Sequence, residues 1–361
     1  MLLVPGGRCS LGLVVAATGL LLLGSMLLYS DASRQQAVID VLQPYWSYAS
    51  GLTRFDFQPT PLEQACFNGT AARINAPGLP ETIPPIVHFI TGVDEPNPVS
   101  IVTWLAVRAV VAQMGPGVEI RLHHVHLSQE GPWWPDVRKR VKLVRHQPEF
   151  LADFASTVPP PSQWRAAHKA DVLRLQILRR EGGIYLDTDV VLLRPLDALL
   201  SGRRDIVMAY EGGNRQGLCN GVILAKPGAP FVERWYRMYR DFDPTDWNYH
   251  SVLLPAKLAV QYPDDICPLS PAAFFWPLWT KDQVALMHRP LDASEAARVT
   301  EAMSRNHGAL YPGQLAYHAT GFKKHMTSAT AHDILTQDTR FNLLVRRYVN
   351  MEYNTSHLLL H

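Results

Sequence analysis

Glu181-Gly182-Gly183-Ile184-Tyr185-Leu186-Asp187-Thr188-Asp189-Val190-Val191 sets the architecture of this chain. A Gly-Gly turn leads into a short apolar strand, Ile184 to Leu186, and the strand ends in two carboxylates spaced i, i+2. In open α/β sheets, ligands gather at the carboxyl ends of strands. Two carboxylates there can hold a hard divalent cation that keeps several waters and also takes phosphate oxygens. A metal–diphosphate site at a strand end points to nucleotide-sugar chemistry. Taken alone, the Asp-x-Asp triplet equally fits a solvated turn with two ordinary acids, so its neighbours decide.

Working back from the triplet, Ser162 to Arg180 reads as a helix. Ser162 can cap it, and Gly182-Gly183 ends it after Arg179 and Arg180, cations that suit the C-terminal dipole. Ala166, Ala170, Leu173 and Ile177 share one face. Further upstream, Ile86 to Ile90 reads as a strand and Val99 to Met114 as an apolar helix stopped at Gly115-Pro116-Gly117. Val118 to Val125 alternates like a strand, and Lys142 to Val144 is a further candidate. Downstream, Asp205 to Tyr210 and Gly221 to Ala225 read as strands, and Pro230 to Phe242 and Leu253 to Tyr262 as helices. Strands alternating with helices imply an α/β sandwich of two or three layers around a mostly parallel sheet.

Three segments keep company with the acid pair. His168-Lys169-Ala170-Asp171-Val172-Leu173-Arg174 puts Asp171 and Arg174 one helical turn apart, either at a ligand or as a surface ion pair. Cys219-Asn220-Gly221-Val222-Ile223-Leu224 opens an apolar strand with an amide and a glycine. Asn220 could bond a sugar hydroxyl there, and Gly221 would let a ligand approach the backbone. In His318-Ala319-Thr320-Gly321-Phe322-Lys323-Lys324, a neutral imidazole could complete a manganese site begun by carboxylates. Gly321 would let backbone N–H groups near a phosphate, and Lys324 would give it a point charge. Glu211, after the Ile206–Tyr210 run, is the candidate catalytic base or nucleophile. Trp276 and Trp279 beside Phe274 and Phe275 could stack on sugars or pack in the core.

Together these segments resemble the retaining glycosyltransferases with a D-x-D sugar-nucleotide motif, in the family of α-1,4-galactosyltransferases and fungal initiating mannosyltransferases. That family's I-P-x-I-x-H, S-D-x-x-R and G-G-x-Y-x-D-x-D stand here as Ile83-Pro84-Pro85-Ile86-Val87-His88, Ala170-Asp171-Val172-Leu173-Arg174 and Gly182 to Asp189. His318-x-x-Gly321-x-x-Lys324 is similar to the metal and diphosphate segment of glycogenin-like enzymes, and Asn220-Gly221 to their N-x-G with one residue missing. The resemblance covers roughly residues 83–325. It implies a GT-A fold, which is a Rossmann-like α/β domain, with a divalent ion, usually manganese, and a UDP-linked hexose donor. It places Asp187 and Asp189 at metal and ribose, with His318 as a third metal ligand. It places Asp171 and Arg174 at the nucleotide and donor sugar. The acceptor class is a glycan, glycolipid or glycoprotein.

Two other readings fit parts of the chain. Asp187-Thr188-Asp189-Val190-Val191 matches the D-x-D-x-[TV] of haloacid-dehalogenase phosphatases, whose first Asp attacks phosphorus. That motif opens its domain, whereas a long segment precedes it here. The third reading is a non-catalytic lumenal protein that binds a glycan or a partner enzyme on the same fold.

The N-terminus gives the expected address. Leu11 to Leu28 is uncharged and just long enough to span a bilayer, after a short tail with Arg8 and before Asp31 and Arg34. No A-x-A-like site follows it, which favours a type II signal anchor over a cleaved peptide. The expected layout is a cytoplasmic tail 1–10, a span 11–28, a proline-broken stem 31–80 and a lumenal domain 84–350, in the Golgi membrane. Sequons at Asn68-Gly69-Thr70 and Asn354-Thr355-Ser356 agree with lumenal exposure. A net charge of +2 across 361 residues, with no basic stripe, argues against nucleic acid as a partner. Cys66, Cys219 and Cys267 allow one internal disulfide in any of three pairings, and a leftover Cys66 could link a homodimer.

Overall fold

In the computed structural model, which describes residues 49–115, 117–201, 203–320 and 329–351 with Leu42, Tyr45 and Trp46, the secondary structure follows the apolar pattern closely. The elements are α1 (Pro61–Phe67), β1 (Ile86–Thr91), α2 (Ile101–Met114), β2 (Glu119–His124), α3 (Trp134–Arg138), β3 (Lys142–Arg145) and α4 (Ala166–Glu181). Then come β4 (Gly183–Leu186), β5 (Val190–Leu192), α5 (Asp197–Leu200), β6 (Ile206–Glu211), β7 (Gly217–Leu218), β8 (Val222–Ala225), α6 (Pro230–Met238) and α7 (Leu254–Gln261). The last are β9 (Ile266–Leu269), α8 (Lys281–His288), α9 (Ala293–Arg305), β10 (Ala316–His318), α10 (Ala331–Thr336) and α11 (Arg340–Val349). The apolar run 11–28, Gly321, Lys324 and the Asn354 sequon lie outside the described residues. Among the described residues, no helix is long and apolar enough to cross a membrane.

The chain divides into two units, Met1–Leu52 and Thr53–His361. Helix α1 therefore stands inside the second unit, although the proline-broken run 31–80 reads as a linker in sequence. A capping box at Thr60 and Glu63 starts α1, and a Cys66–Cys267 disulfide ties it to β9. The disulfide removes Cys66 as a link between chains and leaves Cys219 as a buried free thiol. Asn68, at the C-terminal end of α1, is exposed, as an acceptor sequon must be.

The main sheet has eight strands in the order β3-β2-β1-β4-β8-β6-β7, with β9 pairing β6. Strands β3, β2, β1 and β4 run parallel, and β9 is parallel to β6. Strand β8 runs against both β4 and β6, so the sheet is mixed rather than mostly parallel. The cause is connection length. A parallel neighbour needs a crossover of a dozen or so residues, and only the short loop 212–216 joins β6 to β7, whose direction β8 continues against β6.

Side-chain alternation along β4 builds a layer on each face. Ile184 and Leu186 join one core with α2, while Tyr185 joins the other with α4 and α6. The result is a three-layered α/β sandwich. Helix α2 is buried along Ile101 to Val110 without a polar face, which is why its sequence lacks amphipathic alternation.

Helix α4 starts later than Ser162. Pro161–Gln163 form a single 3₁₀ turn, and Arg165 occupies the N-cap without a side-chain bond. Trp164 causes the break. Its indole is buried against Phe154 and Phe242 and donates to the Pro159 carbonyl at 3.0 Å, holding the chain extended there. The far end of α4 needs both glycines. Gly182 and Gly183 have φ of +62° and +102°. A Cβ on Gly182 would fall 2.5 Å from Pro227, and one on Gly183 2.6 Å from the Ile86 carbonyl. This turn drops the chain from α4 straight into β4, between β1 and β8.

Candidate active site

Strand β4 ends at Leu186, and the next residue is Asp187, whose N–H donates to the Gly221 carbonyl at 2.9 Å. Strand β10 returns antiparallel to β5, with His318 opposite Val190. The Ala319 N–H donates to the Asp189 carbonyl at 2.9 Å. These backbone bonds bring three side chains from two distant segments together. His318 Nε2 lies 3.2 Å from Asp189 Oδ1 and 3.7 Å from Asp187 Oδ2. One ligand atom from each of Asp187, Asp189 and His318 lies within 4.8 Å of the others, a grouping able to hold a metal ion.

A second group braces the first. Arg174 is buried, and its Nη2 pairs with Asp171 Oδ1 at 3.0 Å. Its Nη1 pairs with Asp187 Oδ1 at 3.2 Å and donates to the Asn220 carbonyl at 2.8 Å. The guanidinium lies 4.4 Å from the Tyr185 ring centroid, and the Tyr185 hydroxyl donates to Asp187 Oδ1 at 2.7 Å. Asp187 Oδ1 is thus held from two sides, and Oδ2 is the oxygen that faces His318. The Asp171–Arg174 pair, which in sequence equally fits a solvated helix face, is an interior strut.

Two sequence expectations change at Asn220-Gly221. The Asn220 side chain donates to Asp171 Oδ1 at 2.8 Å, so it positions a carboxylate before it can serve a sugar. At Gly221 the close approach comes from the protein itself. A Cβ there would lie 3.0 Å from Asp187 Oδ2 and 3.1 Å from His318 Cε1. Gly221→Ala is therefore expected to crowd two of the three grouped residues. Affinity for Mn2+ should fall about tenfold or more, with a small change in melting temperature, as titration calorimetry and thermal unfolding would register. Unchanged affinity would mean that the two side chains have room to relax.

The electrostatics suit a divalent cation. Burial pulls the His318 pKa down, but the adjacent Asp189 carboxylate and Cys219 outweigh it and raise it well above the ordinary imidazole value. Burial raises Asp189, and the charge and hydrogen bond of His318 more than reverse that. Without metal, the imidazolium supplies the positive charge that the two carboxylates call for. Burial pushes the Cys219 thiol up to about 11, with Glu211 adding to it, so the neighbouring sulfur stays protonated. The available donors are then oxygen and imidazole, the set that manganese and magnesium accept, rather than the thiolates of a structural zinc site.

The group opens into a cleft of about 460 Å³ lined by Asp171, Arg174, Asp187, Glu211, Asn220 and His318. Glu211 is the last residue of β6, partly buried, and its carboxyl is shifted upward by burial. Of the described residues that the sequence singles out for metal, nucleotide or catalysis, the cleft gathers all but Asp189 and Gly221. Trp279 is 40% exposed at the cleft, whereas Trp276 is buried against Phe55 and Phe57. Sequence reasoning missed Trp247. It sits among the turn formers Asp243-Pro244-Thr245-Asp246, where no apolar periodicity calls for an indole, and that mismatch was the available signal.

Known proteins are similar to this chain in sequence. The family model described as glycosyltransferase sugar-binding region containing DXD motif matches residues 118–205. Glucan organizing enzyme 1 of Cryptococcus neoformans is 31% identical over 283 residues, which are 74% of this chain and 71% of that protein. Inositol phosphoceramide mannosyltransferase 3 of Schizosaccharomyces pombe is 32% identical over 130 residues, 35% of this chain and 32% of its own length. The initiation-specific alpha-1,6-mannosyltransferase of Candida albicans is 43% identical over 68 residues, 19% of this chain and 17% of its own. This chain therefore spans about a third or less of the two mannosyltransferases.

Proposed function

Because the chain belongs to the glycosyltransferases with a DXD sugar-binding region, we propose that it transfers a hexose from a UDP-linked donor to a glycan or glycoconjugate, with retention of anomeric configuration. Family membership leaves the phosphatase and non-catalytic readings without support. The observation that carries the proposal is the convergence of Asp187, Asp189 and His318 at the end of β4. Two of the relatives carry mannosyltransferase names, which supports a hexose as the sugar transferred.

In this reading Asp187, Asp189 and His318 hold a divalent cation, manganese by preference. When bound, the cation neutralises charge on the leaving diphosphate. Arg174 fixes Asp187, and Asp171 and Arg174 face the nucleotide and donor sugar. Asn220 positions Asp171. Gly321 and Lys324 meet the diphosphate. Transfer breaks the bond from the anomeric carbon to phosphate oxygen and forms one to an acceptor oxygen, which loses its proton. Glu211, which also lines the cleft, stabilises the sugar cation or takes that proton. The setting is the Golgi lumen, with a type II anchor at 11–28 and a stem that ends near Thr53.

The test is a donor screen on the full-length protein with Mn2+, with product configuration read by NMR. Chelator-sensitive transfer with a retained anomer supports the reading. An inverted product would keep the metal site and sink the retaining mechanism. Transfer in excess chelator would sink the metal requirement. For topology, glycosidase treatment of protein expressed in cells should lower its mass. Bare Asn68 and Asn354 on a cytosolic protein would overturn the lumenal placement.

A further inference from the structure

His168 stands in the first turn of α4, is 1% exposed, and lines the cleft. Neither ring nitrogen has a partner of good hydrogen-bond geometry, and the Trp247 backbone offers at most a poorly formed bond that raises the pKa slightly against burial. A buried polar group left in that state costs on the order of 1–3 kcal/mol, which points to a partner that arrives from outside. Trp247 packs beside it, with ring centroids 5.1 Å apart, yet the indole is 59% exposed. The Arg165 guanidinium braces that indole at 5.5 Å from its centroid. A large aromatic that is braced but left open at a cleft is a platform. Asn248 and Ser251 continue the same wall, and Ser251 lies on a single π-turn, Tyr249–Leu253. Such turns occur often at functional sites.

Position along α4 indicates what the platform faces. The helix runs back against β4, so its first turn lies at the end where β4 delivers Asp187. His168, Asp171 and Arg174 fall at i, i+3 and i+6 on one face. At the usual helical rise, His168 is about 9 Å from Arg174 along the axis, and Arg174 touches Asp187. That offset exceeds the width of one hexose ring, so a sugar attached to a diphosphate at the metal group would lie short of His168. A second sugar would reach it. Among the described lining residues, Arg174 is the one Arg or Lys, and Asp171, Asp187 and the Asn220 carbonyl already engage it. Arg165 lies over the indole but outside the lining, so the wall at His168 itself suits an uncharged ring, and an acidic sugar held by Arg165 is the rival.

Resting on the transferase reading, we propose that His168 and Trp247 form the acceptor subsite and take a neutral hexopyranose, whose apolar C–H face lies on the indole while a hydroxyl pairs with the imidazole. Burial lowers the His168 pKa, so the ring is neutral and offers one donor and one acceptor, the complement of a hydroxyl.

The test uses full-length protein in a detergent without a sugar headgroup. Saturation-transfer NMR and titration would follow methyl α-mannopyranoside, methyl β-galactopyranoside and methyl β-glucopyranoside, with Mn2+ and UDP present. Affinity for Mn2+–UDP would be measured separately. At least one hexoside should bind. Trp247→Ala and His168→Ala should each weaken it about tenfold or more, and Trp247→Phe should recover much of the loss. The effect should fall on the hexoside rather than on Mn2+–UDP. A wild-type protein that binds Mn2+–UDP but none of the hexosides overturns the subsite, as does hexoside binding indifferent to both substitutions. Loss of Mn2+–UDP in Trp247→Ala would make the indole a nucleobase platform instead. Hexoside binding that depends on Trp247 in a protein that ignores Mn2+–UDP would keep the subsite and overturn the transferase reading.

Discussion

Asp189→Asn is expected to cut sugar transfer by on the order of 10³-fold while the fold stands. The Asp189 carboxylate faces His318 Nε2 at 3.2 Å. To the fold it gives its backbone carbonyl, which accepts from the Ala319 N–H, and a charge pairing with His318 that Asp187 Oδ2, 3.7 Å from the same ring nitrogen, continues after the substitution. An amide keeps the shape and the backbone bond but removes a full negative charge from the three-residue group. Asp187→Asn should lose as much activity and also some stability. Its Oδ1 takes the Tyr185 hydroxyl at 2.7 Å and the Arg174 guanidinium at 3.2 Å, and the substitution would weaken both. Hydrogen bonds to charged groups contribute about 1.5–3 kcal/mol each, so thermal unfolding should tell the two variants apart. Activity measured over a Mn2+ titration is the companion readout. Near-normal transfer by Asp189→Asn in excess chelator would remove the metal group from the mechanism.

How much of this was legible depends on whether the cause is local. The Gly182-Gly183 turn, β4 and the Asp187-x-Asp189 end could be read because turn, apolar run and acids sit within a few residues of one another. The burial of Asp171 and Arg174 could not, since an i, i+3 ion pair looks the same on a solvated helix face and against a buried tyrosine. Gly221 was marked for the right property and the wrong neighbour, because its neighbours come from β4 and β10, far away in sequence. The direction of β8 was hidden for a related reason. Alternation gives the faces of a strand but not its sense, and the short turn from β6 to β7, which β8 then continues, sets that. Cys66–Cys267 was one of three pairings and needed the packing of α1 on β9 to select it. Ser162 failed as a cap because a buried indole two residues on held the chain extended.

A row of three histidines, gathered by strand register alone, makes the largest stability prediction. His88 Nε2 lies 2.9 Å from the Gly182 carbonyl, His88 Nδ1 3.0 Å from His123 Nε2, and His123 Nδ1 2.8 Å from His146 Nε2. A carbonyl only accepts, so His88 donates from Nε2. Neutral rings then require Nε2–H on His123 and on His146 as well. Burial lowers His88 to about 4 and His123 to about 2, and it lowers His146 too. Around His88, Glu181 and Glu119 oppose the shift and Arg121 adds to it; around His123, the other two histidines, Arg121 and Arg180 add to it. The sign follows from proton counting. Below the ordinary value of 6.5 the unfolded chain takes up protons that the folded rings refuse. Stability is therefore full above that value and is lost as pH falls, until His88 itself protonates near 4. Each such ring contributes a slope of about 1.4 kcal/mol per pH unit. His88 and His123 together should cost the protein about 2 kcal/mol over the first unit below the ordinary value, since the unfolded rings are only half protonated where it begins. His124, His168 and His250, also lowered by burial, add in the same direction, while His318, raised by Asp189, opposes them in part. Urea unfolding at about pH 7 and about pH 5.5 stays above the range where most carboxylates titrate and would measure the loss. Imidazole NMR should find Nε2–H tautomers along the row. An unfolding free energy that stays flat over that interval would mean that the rings carry protons in the folded chain, and the row would then have to be bonded in another way.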